Sequence, residues 1–331
     1  MNQIQAKSGS RGYVLKCAVV KETGNRMTQH NFLVVGLGEV LWDLFPEGAR
    51  FGGAPANFAC HAAVLGCDVA MVSAVGDGPR GREAIGILRG YGIDTTMIQR
   101  LEDAPTGTVG VSLDANGKPT FVIHEGSAWD WIAWTPELEA RIIEADAVYF
   151  GTLGQRGGVS RTTICCALEV ASESGSSRIL DVNLREPFYD AALIRESIES
   201  TSVLQLSDDE LEPVVAACGL DSMTGIKTRL RALLDRFGLD LVVMTRGAEG
   251  ALLVSPTETV DQPGIPTTVR NTVGAGDSFT AALVTGLLRG DPLRSIARAA
   301  CELAASVCAQ PGTVPELPSH TNPRMFFART D

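Results

Sequence analysis

Residues 271–279, Asn-Thr-Val-Gly-Ala-Gly-Asp-Ser-Phe, set a loop of small side chains directly ahead of a carboxylate and an amphipathic run. A helix starting there presents unpaired main-chain N–H groups and the positive end of its dipole to an anion. Gly274, Ala275 and Gly276 lack bulk, so an oxygen of a phosphoryl group in transfer can approach the backbone closely. Asp277 falls in the first turn beside that anion position, where a carboxylate can take the proton of a substrate hydroxyl. Asp is also an ordinary residue at a helix start, and on these four residues alone the plain cap is the stronger reading.

A second constellation lies early in the chain. Gly36-Leu37-Gly38-Glu39 follows an apolar run, then come Asp43 and Gly52-Gly53-Ala54-Pro55-Ala56-Asn57. Carboxylates and an amide beyond a strand end can hold several hydroxyls of a sugar, each in a fixed direction, while paired glycines let backbone meet ligand. Two better-known glycine patterns fail. The dinucleotide fingerprint needs a third glycine where Leu41 stands, and the phosphate-loop pattern ending at Gly117-Lys118 has Ser112 in place of its first glycine and Pro119 after the lysine.

These groups need a scaffold, and composition limits what it can be. The chain has 331 residues, 45% hydrophobic and 20% charged, which is globular and excludes a disordered polyelectrolyte. Lys and Arg total 28 against 39 Asp and Glu, a formal charge of −11, so the average field repels nucleic acid and anionic membrane. No run approaches the roughly 18 apolar residues of a membrane span, and residues 17–20, between Lys16 and Lys21, are too short for a secretory core. A cytoplasmic protein is expected. The eight cysteines include no C-x-x-C pair and mostly lie in apolar surroundings, which favours buried free thiols.

From residue 32 onward, short Val-rich runs alternate with helical patterns, the signature of β-α-β units and a mostly parallel sheet. Strands are predicted at 32–37, 69–75, 147–150, 178–182, 202–206 and 240–245, and helices at 54–65, 80–90, 159–173, 190–199, 207–217, 224–236, 276–288 and 293–308. Ser207 is read as the N-cap of its helix, with Glu210 completing a capping box. Residues 107–113 and 119–124, joined through Asn116-Gly117, read as a hairpin inserted in the alternation. Residues 1–31 are read as a disordered extension, with Met27 a candidate natural start, and 321–331 as a tail.

GEVLWDLFP (38–46), GGAPANFA (52–59), DVNLR (181–185), LSDDEL (206–211), TRGAEGA (245–251) and NTVGAGDSF (271–279) occur together in this order. The set resembles the PfkB, or ribokinase-like, family of carbohydrate kinases, nearest its fructokinases. The resemblance implies a three-layer α/β/α sandwich over 32–320 with a mostly parallel central sheet and a small β-sheet lid from about 40–53 and 107–125. It implies an ATP- and magnesium-dependent sugar kinase, with fructose as first acceptor. Kinases of ribose, 2-keto-3-deoxygluconate or a nucleoside, or a catalytically weak sugar-binding regulator, are the alternatives.

In that reading Asp277 is the base and Gly274, Ala275 and Gly276 the anion hole. Asp43, Gly52, Gly53 and Asn57 hold the sugar; Asn183, Thr245, Gly247 and Gly250 border the nucleotide; Glu210 organises magnesium, with Arg185 a weaker candidate at the phosphate end. Ser207 stands where the family commonly has Asn. Asn271 stands where many members have an Asp that helps bind potassium, so weak or absent potassium activation is expected. The resemblance also implies a homodimer. Trp129, Trp131 and Trp134 are read as packing the lid hinge, His124 as a strand-end residue without catalytic duty, and Asp77 as structural.

Overall fold

The computed structural model describes residues 31–113, 119–310, 312 and 314. Thirteen strands are found there: β1 (Leu33–Leu37), β2 (Leu41–Phe45), β3 (Gly48–Gly52), β4 (Asp68–Gly76), β5 (Ile98–Leu101), β6 (Gly107–Leu113), β7 (Pro119–Ile123), β8 (Ala147–Gly151), β9 (Ser177–Asp181), β10 (Val203–Ser207), β11 (Leu241–Thr245), β12 (Ala251–Val254) and β13 (Thr259–Gln262). The described helices are α1 (Ala54–Val64), α2 (Pro79–Gly90), α3 (Pro136–Glu144), α4 (Gly158–Ser174), α5 (Ala191–Glu199), α6 (Leu211–Ala217), α7 (Ile226–Phe237), α8 (Ala275–Arg289) and α9 (Leu293–Cys308).

Nine strands form one sheet in the order β13-β12-β11-β10-β9-β8-β1-β4-β5, parallel throughout except where β12 pairs antiparallel with β11 and β13. Period-two alternation divides its side chains between two cores. Val34, Met71, Tyr149 and Val243 pack against α1, α2, α8 and α9, whereas Val35, Val72, Phe150 and Met244 pack against α3 to α7. Both faces are therefore covered, which is why the central strands read as continuous apolar runs. The small second sheet, β3-β2-β6-β7, is built from the two segments expected to form it.

Connection order creates the crevice. From β1 the chain steps outward through α1 and β4 on one side, and from β8 it steps through α4, β9, α5 and β10 on the other. The order reverses between β1 and β8, and beyond the carboxyl ends of strands at such a switch point an open α/β sheet has room for a ligand.

Predicted and observed elements differ in places. The helix predicted from residue 207 begins at Leu211, because Ser207 remains in β10 paired with Thr245. Ser207 is consequently no N-cap; its N–H and Oγ both donate to one Glu210 oxygen, at 2.7 and 2.8 Å. The short strands β5, β12 and β13 and helix α3 carry too few periodic residues to stand out in sequence. Among the described cysteines Cys60, Cys67, Cys218 and Cys301 are buried free thiols as expected, but Cys165 is exposed on the outer side of α4. The expectations for residues 1–30, Cys17, Met27, the Asn116-Gly117 turn and the tail lie outside the described residues.

Candidate active site

Helix α8 is entered through Gly274, whose φ of +84° is open to glycine at little cost. No side chain caps this helix, and the main-chain N–H groups of Gly276 and Asp277 have no partner among the described residues. A Cβ added at Gly276 would meet nothing within 4 Å, so the space in front of the helix start is open. Asp277 stands beside it, 8% exposed.

Asn57 of α1 donates from Nδ2 to Asp277 Oδ2 at 2.8 Å, across 220 residues of sequence. Helix α1 is entered through Gly53, which adopts φ +107° and lies so close to β1's continuation that a Cβ there would come within 2.5 Å of the Glu39 carbonyl oxygen. Gly52 fills a similar need, since its Cβ would be 2.8 Å from Asp43 Oδ2. The paired glycines thus bring the small sheet, with Asp43, over the start of α1.

The carboxyl groups here are costly to ionise. Burial raises Asp277 to about 6, opposed by the Asn57 hydrogen bond and the Arg185 charge and reinforced by Asp43. Asp43 is likewise raised to about 6 by burial, with Arg185 and Arg50 pulling the other way. Glu39 is raised to about 7, by burial first. Asp181 rises well above the carboxylate range through burial and the nearby Glu210 and Asp277 charges, and accepts the Tyr149 hydroxyl at 3.2 Å. Arg185, although exposed on its own loop, is the positive charge that Glu39, Asp43, Asp181 and Asp277 all feel.

The next loops lie along the same strand ends. Asn183 follows β9 with φ +42°, uncommon for a side-chain-bearing residue but tolerated best by Asn and Asp. Glu210 ties this loop to the next: its Oε1 accepts Leu184 N–H at 2.6 Å while Oε2 holds Ser207. Thr245 ends β11, and its carbonyl accepts Asp208 N–H at 2.9 Å. Gly247 and Gly250 shape the following turn with φ +52° and +90°; a Cβ on Gly250 would come within 2.1 Å of the Gln262 carbonyl oxygen. No hydrogen bond among the described residues joins Gly247 or Gly250 to the Asp277 group. Asn271 Oδ1 accepts Val273 N–H at 3.0 Å, and Asn271 N–H reaches the Cys308 carbonyl at 3.2 Å, so protein bonds close the loop ahead of α8.

The pattern of the pfkB family carbohydrate kinase matches residues 47–320 of this chain. The chain belongs to that family. It is a phosphotransferase acting on sugar. It is 28% identical to fructokinase-2 of Solanum lycopersicum over 87% of this chain and 93% of the relative. It is 29% identical to 2-dehydro-3-deoxygalactonokinase of Haloferax volcanii over 79% and 86%. A sugar kinase structure from Pyrococcus horikoshii superposes with a TM-score of 0.71 at 27% identity, covering 85% of this chain and 93% of the other. Fructokinase from Xylella fastidiosa with bound ATP, at 20% identity and a TM-score of 0.74, shares the fold.

Sequence reasoning left several groups of this kinase out of its site. Tyr149 lies in a run of apolar strand residues and gave no signal. Glu39 was visible beside Gly38, but only the structure shows its carboxyl turned inward, 3% exposed. Arg156 was not singled out, yet it pairs with Asp130 at 2.7 Å, donates to the His124 carbonyl at 2.7 Å and stacks 3.8 Å over Trp129. Trp129 is buried beneath the first residue of β6, Trp131 is half exposed, and His124 is exposed with Nδ1 2.6 Å from Thr108 Oγ1. Asp77 pairs with Arg100 and accepts Arg82 on its carbonyl.

Proposed function

We propose that the kinase transfers the γ-phosphoryl group of Mg-ATP to a primary hydroxyl of fructose, with Asp277 as general base and residues 274–276 as the anion hole. One observation carries this reading: a buried carboxylate, held by Asn57, stands beside unpaired N–H groups at an uncapped helix start. Asp277 takes the hydroxyl proton as that oxygen bonds to the γ-phosphorus. The bond from γ-phosphorus to the bridging oxygen breaks, and ADP leaves with the electron pair. The N–H groups stabilise charge on the equatorial oxygens as it shifts. Asp43, Gly52, Gly53 and Asn57 orient the sugar, and the small sheet closing over it excludes water that would otherwise accept the phosphoryl group.

Asn183, Thr245, Gly247 and Gly250 border the nucleotide. Magnesium neutralises charge on the phosphates when bound. Glu210 fits a place in its water shell, since both carboxyl oxygens already accept main-chain or hydroxyl hydrogens from Leu184 and Ser207. Fructose as acceptor is supported by the plant fructokinases among the relatives.

The test is ADP release with Mg-ATP across fructose, ribose, glucose, 2-keto-3-deoxygluconate and adenosine, alongside Asp277→Ala. Fructose is expected to give the highest kcat/KM, and the variant to lose at least about a hundredfold in kcat. Preference for another acceptor would replace fructose and keep the kinase; an Asp277→Ala enzyme of wild-type rate would remove Asp277 as base. Because Asn271 already closes its loop, the rate with potassium is expected to lie within about twofold of that with tetramethylammonium. A steep potassium activation contradicts that.

A further inference from the structure

Glu39 has no part in the transfer as set out above, yet it is built into the same corner of the fold. It follows β1 by two residues, and its carboxyl is faced by its own main-chain N–H and that of Ala54, the first residue of α1. Its Oε2 atom is buried with no hydrogen-bond partner among the described residues. A Cβ on Gly154, in the turn after β8, would lie 3.6 Å from that oxygen, so the backbone of that turn stands close to the group. Such an orphaned oxygen calls for an explanation beyond packing.

Its place relative to Asp277 supplies one. The Glu39 carboxyl meets the first N–H of α1; Asn57, three residues further on, donates its own N–H to Gly53 at 2.8 Å and its side-chain amide to Asp277. Phe58 stacks on Tyr149 of β8 with ring centroids 4.2 Å apart, which pins this turn of α1 to the sheet. We propose that Glu39 is a positioning residue for the phosphoryl transfer: its carboxyl sets the start of α1, and so Asn57 against Asp277, and its charge sets how strongly Asp277 holds a proton. This rests on the reading of Asp277 as base.

The charges around the pair define the expected behaviour. Glu39 faces Asp277 from α8, Arg185 from the loop after β9 and Tyr149 from β8; Asp277 faces Asn57 from α1, Asp43 from β2, Tyr149 from β8, Asp181 from β9 and Arg185. With Glu39 near 7 and Asp277 near 6, the two protons leave in successive, coupled steps. Ionisation of Glu39 places a second negative charge beside Asp277, which then binds a proton more tightly and is the stronger base.

The experiment is the pH dependence of kcat/KM for the sugar from pH 5 to 9 at saturating Mg-ATP, with thermal melts, for wild type, Glu39→Gln and Asp277→Asn. Gln keeps an acceptor for Ala54 N–H and removes the charge. Wild type is expected to rise through a lower step near pH 6, where Asp277 and Asp43 titrate together, and an upper step near pH 7; Glu39→Gln keeps only the lower one, with kcat/KM about three- to tenfold lower at pH 8 and the KM for ATP unchanged. A one-step wild-type profile, or a Glu39→Gln profile superimposable on wild type, overturns the proposal. Should Glu39→Gln fail to fold, Glu39→Asp is measured instead: two steps with the upper one displaced support the proposal, and an unaltered profile overturns it. An active Asp277→Asn enzyme defeats the base assignment instead, and so separates the two failures.

Discussion

Asp277, the base of the proposed transfer, is a carboxyl group kept inside the protein, and its charge destabilises the fold that holds it. Its proton affinity is raised to about 6, against roughly 3.9 for a free aspartate, so the folded state binds more protons than the unfolded chain between those values. Stability contributed by this group is therefore present at low pH and lost as pH rises through about 6. Asp277→Asn should lower kcat by at least about a hundredfold and raise Tm at pH 8 by a few degrees, with the Tm difference falling to about half at pH 5 and vanishing only around pH 3, below the unfolded value. A pH series of thermal melts beside initial rates checks both halves. An unchanged Tm difference from pH 5 to 8 would mean that the buried charge is not what the substitution relieves. The rate of the native enzyme should fall as pH drops through 6, as Asp277 takes up its proton.

The elements meet at glycines, and one of them tests how the small sheet is joined to the body. Gly107 opens β6 directly over Trp129, and a Cβ there would approach Nε1 of that fully buried ring to 2.4 Å. Gly107→Ala must therefore displace β6 or the tryptophan, at about 1–3 kcal/mol, and shift Asp43 on the neighbouring β2. The expected outcome is a severalfold higher sugar KM with little change in the KM for ATP, read from steady-state kinetics, together with altered tryptophan fluorescence. At this level the sequence was readable where a pattern was long. Helix α8 and strands β1, β4 and β11 fall within one or two residues of expectation, since each carries a sustained apolar run. Helix α6 was misplaced by four residues because Ser-x-x-Glu satisfies a capping box on paper, while in the fold the pairing of Ser207 with Thr245 keeps that residue in the sheet. Local chemistry offered two partners for the same backbone, and the tertiary pairing decided between them.

Across the whole molecule, the small sheet is anchored to the body by Arg156. Its side chain is 6% exposed, paired with Asp130 and bonded to the carbonyl of His124 just beyond β7. Arg156→Ala leaves the Asp130 carboxylate buried and uncompensated, so a loss of about 3–5 kcal/mol is expected in denaturant melts, together with a raised sugar KM. Arg156→Lys should recover little, because an ammonium cannot reproduce the two-pronged pairing. Stability equal to wild type in Arg156→Ala would show that the pair is not an anchor. This group was invisible beforehand: arginine and aspartate lie 26 residues apart in segments without periodicity, and nothing local distinguishes them from surface charges. The α/β alternation, the run of motifs and the small residues ahead of Asp277 were legible because each is local, a matter of period, side-chain bulk and backbone freedom. The meeting of Asn57 with Asp277, the inward turn of Glu39 and the Arg156 anchor were decided only by folding. They depend on which strand ends the sheet order brings together, and that order is set by burial over the whole chain rather than by any one segment.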